Sequence, residues 1–334
     1  MTTRTRGLTL RLAVSMILVG TPVSGQDVLT SLSVLAEENA RLYVSPLSTG
    51  LGAALNSGFY QSAEAHGRFG FDIGIRVMAA LPPDEAGFFQ PVLPGSVTFE
   101  DVTYVDPYEL VGEGMSPTAV GNGSGAVLQP RVGSPFYNAL LAAGENPADF
   151  AVQFPEGADI PAVPFVVLQG SVGIGFGTDI TLRYLPSFNV HDDVGEIGAF
   201  GYGLKHSLTQ WLPASPMVDL AVTAGWQDLS LGNYLEASAS SYGLIGSVSQ
   251  GPVTLYTTVR REQATVDVSY TVENEDGSLG IPVDGVQIGF RNELPAETLF
   301  GAGLTLGFVG LQLSGEYSFA DYNTVAVRIG FSMN

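Results

Sequence analysis

The sequence contains no cysteine among its 334 residues. This absence excludes a disulfide framework, zinc sites with cysteine ligands and thiol catalysis. Basic residues are also scarce, since 13 Lys and Arg stand against 33 Asp and Glu, for a formal net charge of −20. An acidic chain of this kind is not expected to bind nucleic acid, whose phosphates require basic patches.

Histidine is limited to His66, His191 and His206, and their spacing matches neither H-x-x-x-H nor H-E-x-x-H. Ser207 follows His206 directly, but adjacent residues of a strand point to opposite faces, so the two cannot form a catalytic dyad. We therefore expect a protein that is not an enzyme, with no catalytic residue, no metal site and no cofactor.

Long apolar runs are absent beyond the N-terminus, so no helical membrane span is predicted. Residues 1–25 have the features of a secretory signal: a basic start, a short apolar stretch at Leu12–Val19, and small residues at Val23 and Gly25 before a cleavage site. This pattern predicts export to the periplasm, the outer membrane or the cell exterior.

Glycine, by contrast, is abundant at 42 residues, while charged residues make up only 14% of the chain. Strands packed around a closed sheet suit this composition better than a helix-rich enzyme does. The clearest strand is Thr324–Phe331, in which Val325, Val327, Ile329 and Phe331 alternate with small or polar residues. Strict alternation of this kind predicts one apolar face and one polar face.

The same alternation recurs in Arg68–Leu81 and repeatedly from Phe165 onward. We predict an all-β fold, a transmembrane antiparallel up-and-down β-barrel of about 12–14 strands. The alternative is a β-sandwich whose core is the apolar face. The sandwich is disfavoured because the other face is rich in Gly, Ser, Thr, Asp and Arg, and because the strands exceed the usual length of about 5–6 residues.

Two segments depart from the strand pattern. Residues 26–66 begin with a predicted helix, Val28–Tyr43, and continue as a Gly- and Ser-rich stretch, which we interpret as a plug inside the barrel or, alternatively, as a linker. Residues 82–164 hold twelve of the 20 prolines and form a long loop insertion in a barrel domain at 67–334. Such an insertion belongs on the extracellular side or in the lumen.

Two long stretches are difficult to assign to strands. Pro252–Val272 is unusually long, and its alternation changes near Gln263, which we interpret as a phase break. Val286–Leu294 and Leu299–Phe308 are predicted as two strands joined by a short turn around Pro295.

Charged residues with inward parity are the candidates for a functional lumen. They form either a network of paired charges or a constriction that selects solutes. We also predict that Glu316 faces Arg328 across neighbouring strands as an ion pair. The candidates are Arg76, Asp179, Arg183, Lys205, Asp219, Arg291, Glu316 and Arg328.

Three stretches resemble a known family when they are taken together: Ser45-Pro46-Leu47 through Ala54-Leu55-Asn56-Ser57-Gly58, Gly177–Pro186, and Gly203–Pro213. They are similar to uncharacterised outer-membrane barrel proteins of Bacteroidetes-like bacteria. The resemblance spans nearly the whole mature chain and implies the fold and the location, with no assigned activity. The N-terminal helix and plug also resemble, in architecture only, the long-chain fatty-acid transporter barrels.

These observations lead to an expected function. We expect a bacterial outer-membrane barrel that acts as a passive channel or uptake porin for small solutes, apolar ones included. The alternative is a non-conducting structural or adhesive barrel that contacts partners through its extracellular loops. Expected partners are outer-membrane lipid and lipopolysaccharide, an unidentified small solute, and the barrel-assembly machinery, which would read Phe331 in the last strand.

Overall fold

The computed structural model describes residues 26–112, 114–191, 195–211, 218–272 and 286–333. The predicted signal at 1–25 lies outside these residues. The chain divides into two compact units, which we call the insertion unit and the barrel unit. The insertion unit is Met1–Pro46, Asp84–Ile160 and Tyr270–Phe290, and the barrel unit is Leu47–Pro83, Pro161–Ser269 and Arg291–Asn334.

Strands dominate the described residues. The helices are α1 Gln26–Asn56 and α2 Pro135–Ala143. The strands are β1 Phe71–Leu81, β2 Phe88–Phe89, β3 Ser96–Phe99, β4 Val102–Val105, β5 Tyr108–Val111, β6 Ser116–Pro117, β7 Val127–Pro130, β8 Val152–Gln153, β9 Val163–Gly175, β10 Thr178–His191, β11 Gly195–Ser207, β12 Asp219–Leu231, β13 Leu235–Gln250, β14 Val253–Val272, β15 Val286–Phe308, β16 Leu311–Phe319 and β17 Asn323–Met333. Neither described helix is long and apolar enough to cross a membrane.

Ten strands, β1 and β9 to β17, close into an antiparallel barrel in which every strand pairs with its neighbours along the chain. Closure comes from β1, which pairs with β9 on one side and with β17 on the other. The predicted up-and-down barrel is confirmed, but the predicted count of about 12–14 strands is wrong. The seven strands of residues 82–160 pair only with one another, in three small sheets.

A second reason for the lower count is that Val286–Phe308 is one strand and not two. Within it, Leu299 is buried and alternate residues after it face inward, whereas Arg291 and Glu293 before it are exposed. The parity therefore changes around Pro295. Proline cannot donate to a strand ladder and is tolerated at bulges, which insert a residue and reverse the faces.

The phase break predicted near Gln263 is also wrong. Burial alternates without interruption along β14 from Tyr256 to Val268. What changes near Gln263 is the chemistry of the two faces. The inward residues pass from Thr258, Arg260 and Glu262 to Ala264, Val266 and Val268, while the outward residues pass from Leu255 and Val259 to Gln263, Thr265 and Asp267.

The two ends of the barrel differ. At the end where β1 starts and β17 stops, three connections are two-residue turns, Phe176-Gly177, Gly251-Pro252 and Val309-Gly310. The first and third have positive φ at both residues, as hairpin turns that follow the strand twist require. We call this the turn end. The opposite end, where β1 leads into residues 82–162, is the loop end.

The outer face of the barrel carries an apolar band. On β15 the outward residues Phe300, Leu304, Leu306 and Phe308 are all exposed. Phe300 and Phe308 are about 26 Å apart along the strand, or about 20 Å along the barrel axis at a tilt of about 40°. Exposed aromatic residues mark both edges, with Phe176, Trp211, Phe308 and Phe331 towards the turn end and Tyr184, Phe200, Phe300 and Phe319 towards the loop end.

The insertion unit has its own aromatic core, in which the ring of Phe136 lies 5.7 Å from Tyr108 and 6.1 Å from Phe99. Phe136 belongs to α2, which starts where the Ser134 hydroxyl accepts from the Tyr137 N–H and ends at a left-handed Gly144. Helix α1 joins this unit through the Tyr43 hydroxyl, which donates to the Glu156 carbonyl at 2.8 Å. Helix α1 is longer than predicted, since it continues through Pro46 to Asn56.

The apolar band predicts a position-dependent cost for a charge. Leu304 lies at its centre on β15, so Leu304→Arg should lower the free energy of unfolding in lipid vesicles by about 2–4 kcal/mol. Thr265→Arg, on the polar outward part of β14, is the matched control and should change little. Urea titration of both variants measures the difference. Equal effects at the two positions would show that the band does not face lipid.

Candidate functional site: the occupied lumen

The barrel interior is occupied by the chain that precedes β1. We call residues 47–66 the lumen segment. Gly50 lies so close to Val163, at the loop end, that a Cβ at this glycine would be 2.6 Å from the valine side chain. After the segment, the Phe69 N–H donates to the Gly173 carbonyl, at the turn end, at 2.8 Å. The lumen segment therefore runs the length of the barrel from loop end to turn end.

Arg183 on β10 holds the middle of the lumen segment. Its guanidinium donates to the Leu55 carbonyl at 3.2 Å and to the Ser57 carbonyl at 2.8 Å, where α1 ends. Helix α1 has no basic residue in its own last turn, so the barrel wall supplies the positive charge that the carboxyl end of a helix favours. The same guanidinium carbon lies 3.4 Å from the centre of the Phe59 ring, a cation–π contact.

Small residues of the wall make room for Phe59. A Cβ at Gly225 on β12 would lie 2.9 Å from the Phe59 ring, and one at Gly203 on β11 would lie 3.2 Å from it. Gly203 also faces the hydroxyl of Tyr60, which donates to the Ala224 carbonyl at 3.0 Å. The glycines on this part of the inner face are therefore required by the bulk of the lumen segment.

A second anchor lies near the turn end. Lys205, the only lysine of the chain, donates to the Ser62 carbonyl at 3.2 Å and to the Glu64 carbonyl at 2.5 Å, and pairs with Asp179 at 3.0 Å. Asp179 also accepts from the His66 backbone N–H at 3.0 Å, and its other oxygen lies 2.9 Å from the His66 ring Nδ1. One lysine and one aspartate thus fix both sides of the segment's end.

Further charges belong to the wall itself. Arg328 on β17 pairs with Asp72 on β1 at 2.6 Å, across the seam that closes the barrel. Arg260 on β14 pairs with Glu262 at 2.5 Å and with Glu316 on β16 at 2.7 Å. Arg76 donates to the side chain of Gln61 in the lumen segment. The Arg328–Asp72 and Arg260–Glu316 pairs are of the predicted kind, whereas Arg76 has a neutral partner, and the Nε atoms of Arg76 and Arg328 have no hydrogen bond among the described residues.

Most of the predicted lumen residues do lie inside the barrel. Asp219 is half-buried at the turn end, where its carboxylate accepts from the Thr209 hydroxyl at 3.3 Å. The fully buried members of the predicted set are Arg76, Asp179, Arg183, Lys205, Glu316 and Arg328.

Arg291 is the exception. Its side chain is 61% exposed and pairs with Asp267 at 2.7 Å on the outer face. A hydrogen bond to this carboxylate raises the pKa of Arg291. The lumenal placement predicted for Arg291 is wrong because the parity change around Pro295 reverses the two faces of β15.

The predicted ion pair between Glu316 and Arg328 is also wrong. Glu316 lies opposite Ala326 and Arg328 lies opposite Ser314, so the register differs from the predicted one by two residues. Only Ala320, Asp321 and Tyr322 separate β16 from β17, and the turn is centred one residue earlier than predicted. Because two residues are one full strand period, both side chains still face the lumen, where they have other partners.

Several lumen contacts were not predicted, namely those of Phe59, Gln61, His66, Arg260 and Glu262. A signal existed for the last two, since charges at i and i+2 on one strand share a face. The contacts of the lumen segment join residues more than a hundred positions apart, and strand patterning does not reveal such pairs.

His206 and Ser207 lie on opposite faces of β11, as predicted. On the outer side, the His206 ring Nδ1 is hydrogen-bonded to the Thr178 hydroxyl at 2.8 Å. Ser207 is buried, and its hydroxyl is hydrogen-bonded to the Thr209 hydroxyl at 2.9 Å.

A cavity of about 20 Å³ lies beside Phe59, Tyr60, Arg260 and Glu316, enough for one water molecule. The predicted solute-selecting constriction therefore has no solute-sized opening at this position. The polar groups of the wall are bound instead to the backbone of the lumen segment.

The Arg183 contacts predict a large loss of stability on substitution. Arg183→Met would leave the carbonyls of Leu55 and Ser57 buried without these donors, so the free energy of unfolding should fall by about 2–5 kcal/mol. Arg291→Met is the matched control and should change little, because its ion pair is exposed. Urea unfolding of both variants in detergent checks this, and equal stabilities would contradict the anchoring role of Arg183.

Comparison with known proteins gives a family without a function. The model of DUF6588, a family of unknown function, matches residues 5–333. No curated protein matches the chain. This outcome agrees with the resemblance to uncharacterised proteins, while no named relative supports the Bacteroidetes-like or fatty-acid transporter likeness.

Three of the solved structures that match this chain are each remote from it. The loop L8 deletion mutant of OmpT, an outer membrane protein of Vibrio cholerae, is 10% identical with a TM-score of 0.26, covering 78% of this chain and 98% of its own. The beta domain of the Bordetella autotransporter BrkA is 11% identical with a TM-score of 0.32, and the match covers 79% of this chain and 100% of the BrkA domain. Ail, the attachment invasion locus protein of Yersinia pestis, is 8% identical with a TM-score of 0.20, and the match covers 80% of this chain and 98% of Ail. Scores this low carry no argument about this chain.

Proposed function

We propose that this chain, which belongs to the DUF6588 family of unknown function, is a closed outer-membrane anchor that holds residues 84–160 at the cell surface. The observation that carries the proposal is the occupied lumen. Side chains of the barrel wall bind the backbone of residues 55–66, and the cavity beside Phe59 and Arg260 accommodates one water molecule. A barrel filled in this way does not conduct passively.

The outer face supports a membrane location. An apolar band with aromatic residues at both edges is typical of barrels that sit in a bilayer, where closure leaves no strand edge unpaired. The polar outward residues of β14 beyond Val259 extend past this band towards the loop end.

The connections support an orientation with the loop end outside. Membrane barrels have short periplasmic turns and longer extracellular loops, and the two-residue turns here are all at the end where β1 starts. Residues 84–160 leave the barrel after Leu81 and rejoin it at Val163, which both lie at the loop end. The lumen segment also begins at that end, and α1 residues before it bond to residues 84–160 within the insertion unit.

A gated uptake channel is the second candidate. It is favoured by one observation, that the lumen segment is held largely by hydrogen bonds from a few side chains to its backbone. Such contacts are exchangeable for water, so the segment could leave if its anchors were lost. In this candidate the small solute passes only after the segment moves.

Conductance in planar bilayers separates the two, because the full-length closed anchor never opens whereas a full-length gated channel opens whenever its lumen segment moves. The full chain should show no channel currents, whereas a variant lacking residues 26–60 should conduct, because a ten-strand barrel that keeps only residues 61–66 of its lumen segment is left open. A heat-dependent shift in gel mobility shows that both forms fold as barrels. Intermittent or stable currents from the full chain would refute the closed anchor and support the channel.

The orientation gives a separate prediction. The chain has no cysteine, so a single engineered cysteine reports its own exposure without background labelling. Glu38→Cys in α1 and Asp101→Cys between β3 and β4 should react with a membrane-impermeant maleimide on intact cells. Gln250→Cys, at the turn end of β13, should react only after the outer membrane is permeabilised. The reverse pattern would overturn the proposed orientation.

A further inference from the structure

The loop-end edge of the apolar band is sharply defined on three adjacent strands. On each of β12, β13 and β14 an apolar outward residue is followed, two positions on towards the loop end, by a polar one. These pairs are Trp226 and Asp228, Tyr242 and Ser240, and Val259 and Arg261; Asp228 and Arg261 are exposed, whereas Ser240, opposite Trp226, is buried. The ladder places the three pairs side by side, since Trp226 lies opposite Ser240 and Tyr242 lies opposite Arg261.

Arg261 is the unusual member of this edge. Its side chain is exposed on the outer face, and it has no ion pair or hydrogen bond from its side chain among the residues that the structure describes. Of the lysines and arginines on the described barrel strands, only Arg261 and Arg291 face outward. The guanidinium of Arg291 donates to both carboxylate oxygens of Asp267, at 2.7 and 3.1 Å. Arg261 is therefore a free guanidinium on a chain of net charge −20.

Aromatic side chains next to Arg261 form a fixed platform. The rings of Tyr202 and Trp226 stack at 5.0 Å, and Trp226 meets Tyr242 edge-on at 5.6 Å. The indole N–H of Trp226 donates to the Tyr242 hydroxyl at 3.2 Å. The hydroxyl accepts this bond, so its own proton is available to a ligand beside Arg261.

We propose that Arg261 and Tyr242 bind a phosphate group of lipid A in the outer leaflet. The proposal rests on the proposed membrane location and orientation, which put this edge at the level of the lipid headgroups. A guanidinium offers two parallel N–H donors that match phosphate oxygens, and the tyrosine hydroxyl supplies a third donor. Aromatic rings at this depth pack against the acyl chains below the headgroup.

The experiment uses the purified full chain, folded in detergent and titrated with fluorescent bisphosphorylated lipid A. Arg261→Gln should weaken binding at least about tenfold, because charged hydrogen bonds to phosphate are lost. Arg261→Lys should lose less, since it keeps the charge without the paired donors, and Tyr242→Phe should weaken binding several-fold. Arg291→Gln is the matched control and should bind as the unaltered chain does.

Two further ligands identify the phosphate and its source. The unaltered chain should bind two comparison ligands weakly, namely phosphatidylglycerol and a lipid A from which the phosphates have been removed. In Arg261→Gln, the affinity for bisphosphorylated lipid A should fall to the level of these two ligands. Equal binding by Arg261→Gln and the unaltered chain would overturn the site, and so would equal affinity for phosphatidylglycerol. The heat-dependent gel shift of every variant, measured in parallel, shows whether the barrel itself is folded, so failure of the site is distinguishable from failure of the membrane barrel.

Discussion

The contact between Arg183 and the end of α1 is the interaction on which the rest of the lumen depends. An eight-stranded barrel is filled by its own side chains, whereas a ten-stranded one is wider and needs additional material. The lumen segment supplies it, and Arg183 fixes the segment where its helix stops and its carbonyls lose their partners. The neighbouring glycines of the wall then follow from the bulk of Phe59.

Charge balance inside the barrel follows from the same contact. Five basic and four acidic side chains are buried among the described residues, so the wall alone has an excess of positive charge. That excess would be costly if the cations had no partners. Arg183 and Lys205 instead meet backbone carbonyls of the lumen segment, which are acceptors that the wall lacks. The segment and the basic residues therefore stabilise each other, and neither is favourable in the lumen alone.

Alternation predicted the faces of the strands well because the side-chain period of two is imposed by the backbone. It identified Arg76, Arg183 and Arg328 as inward residues although it gave no information on their partners. Register depends on turn length, so Glu316 and Arg328 were assigned the correct face and the wrong opposite residues. Arg291 was assigned the wrong face, because the parity of β15 changes around Pro295 and the local alternation does not show the change. The lumen contacts lie beyond any such pattern, since Ser57 and Arg183 are 126 positions apart.

The change along β14 shows what a sequence signal of the membrane edge looks like. Near Gln263 the inward residues become apolar and the outward residues become polar. In the sequence, this exchange looks the same as a one-residue shift of the alternation. The strand does not slip, since its burial continues without interruption. With the proposed membrane location, the surroundings change instead, from lipid outside and polar lumen inside to water outside and a packed interior. Arg261 is the first outward residue past the apolar stretch of this strand. With the proposed location, the inversion therefore places the one unpaired outward arginine of the described barrel strands at the headgroup level.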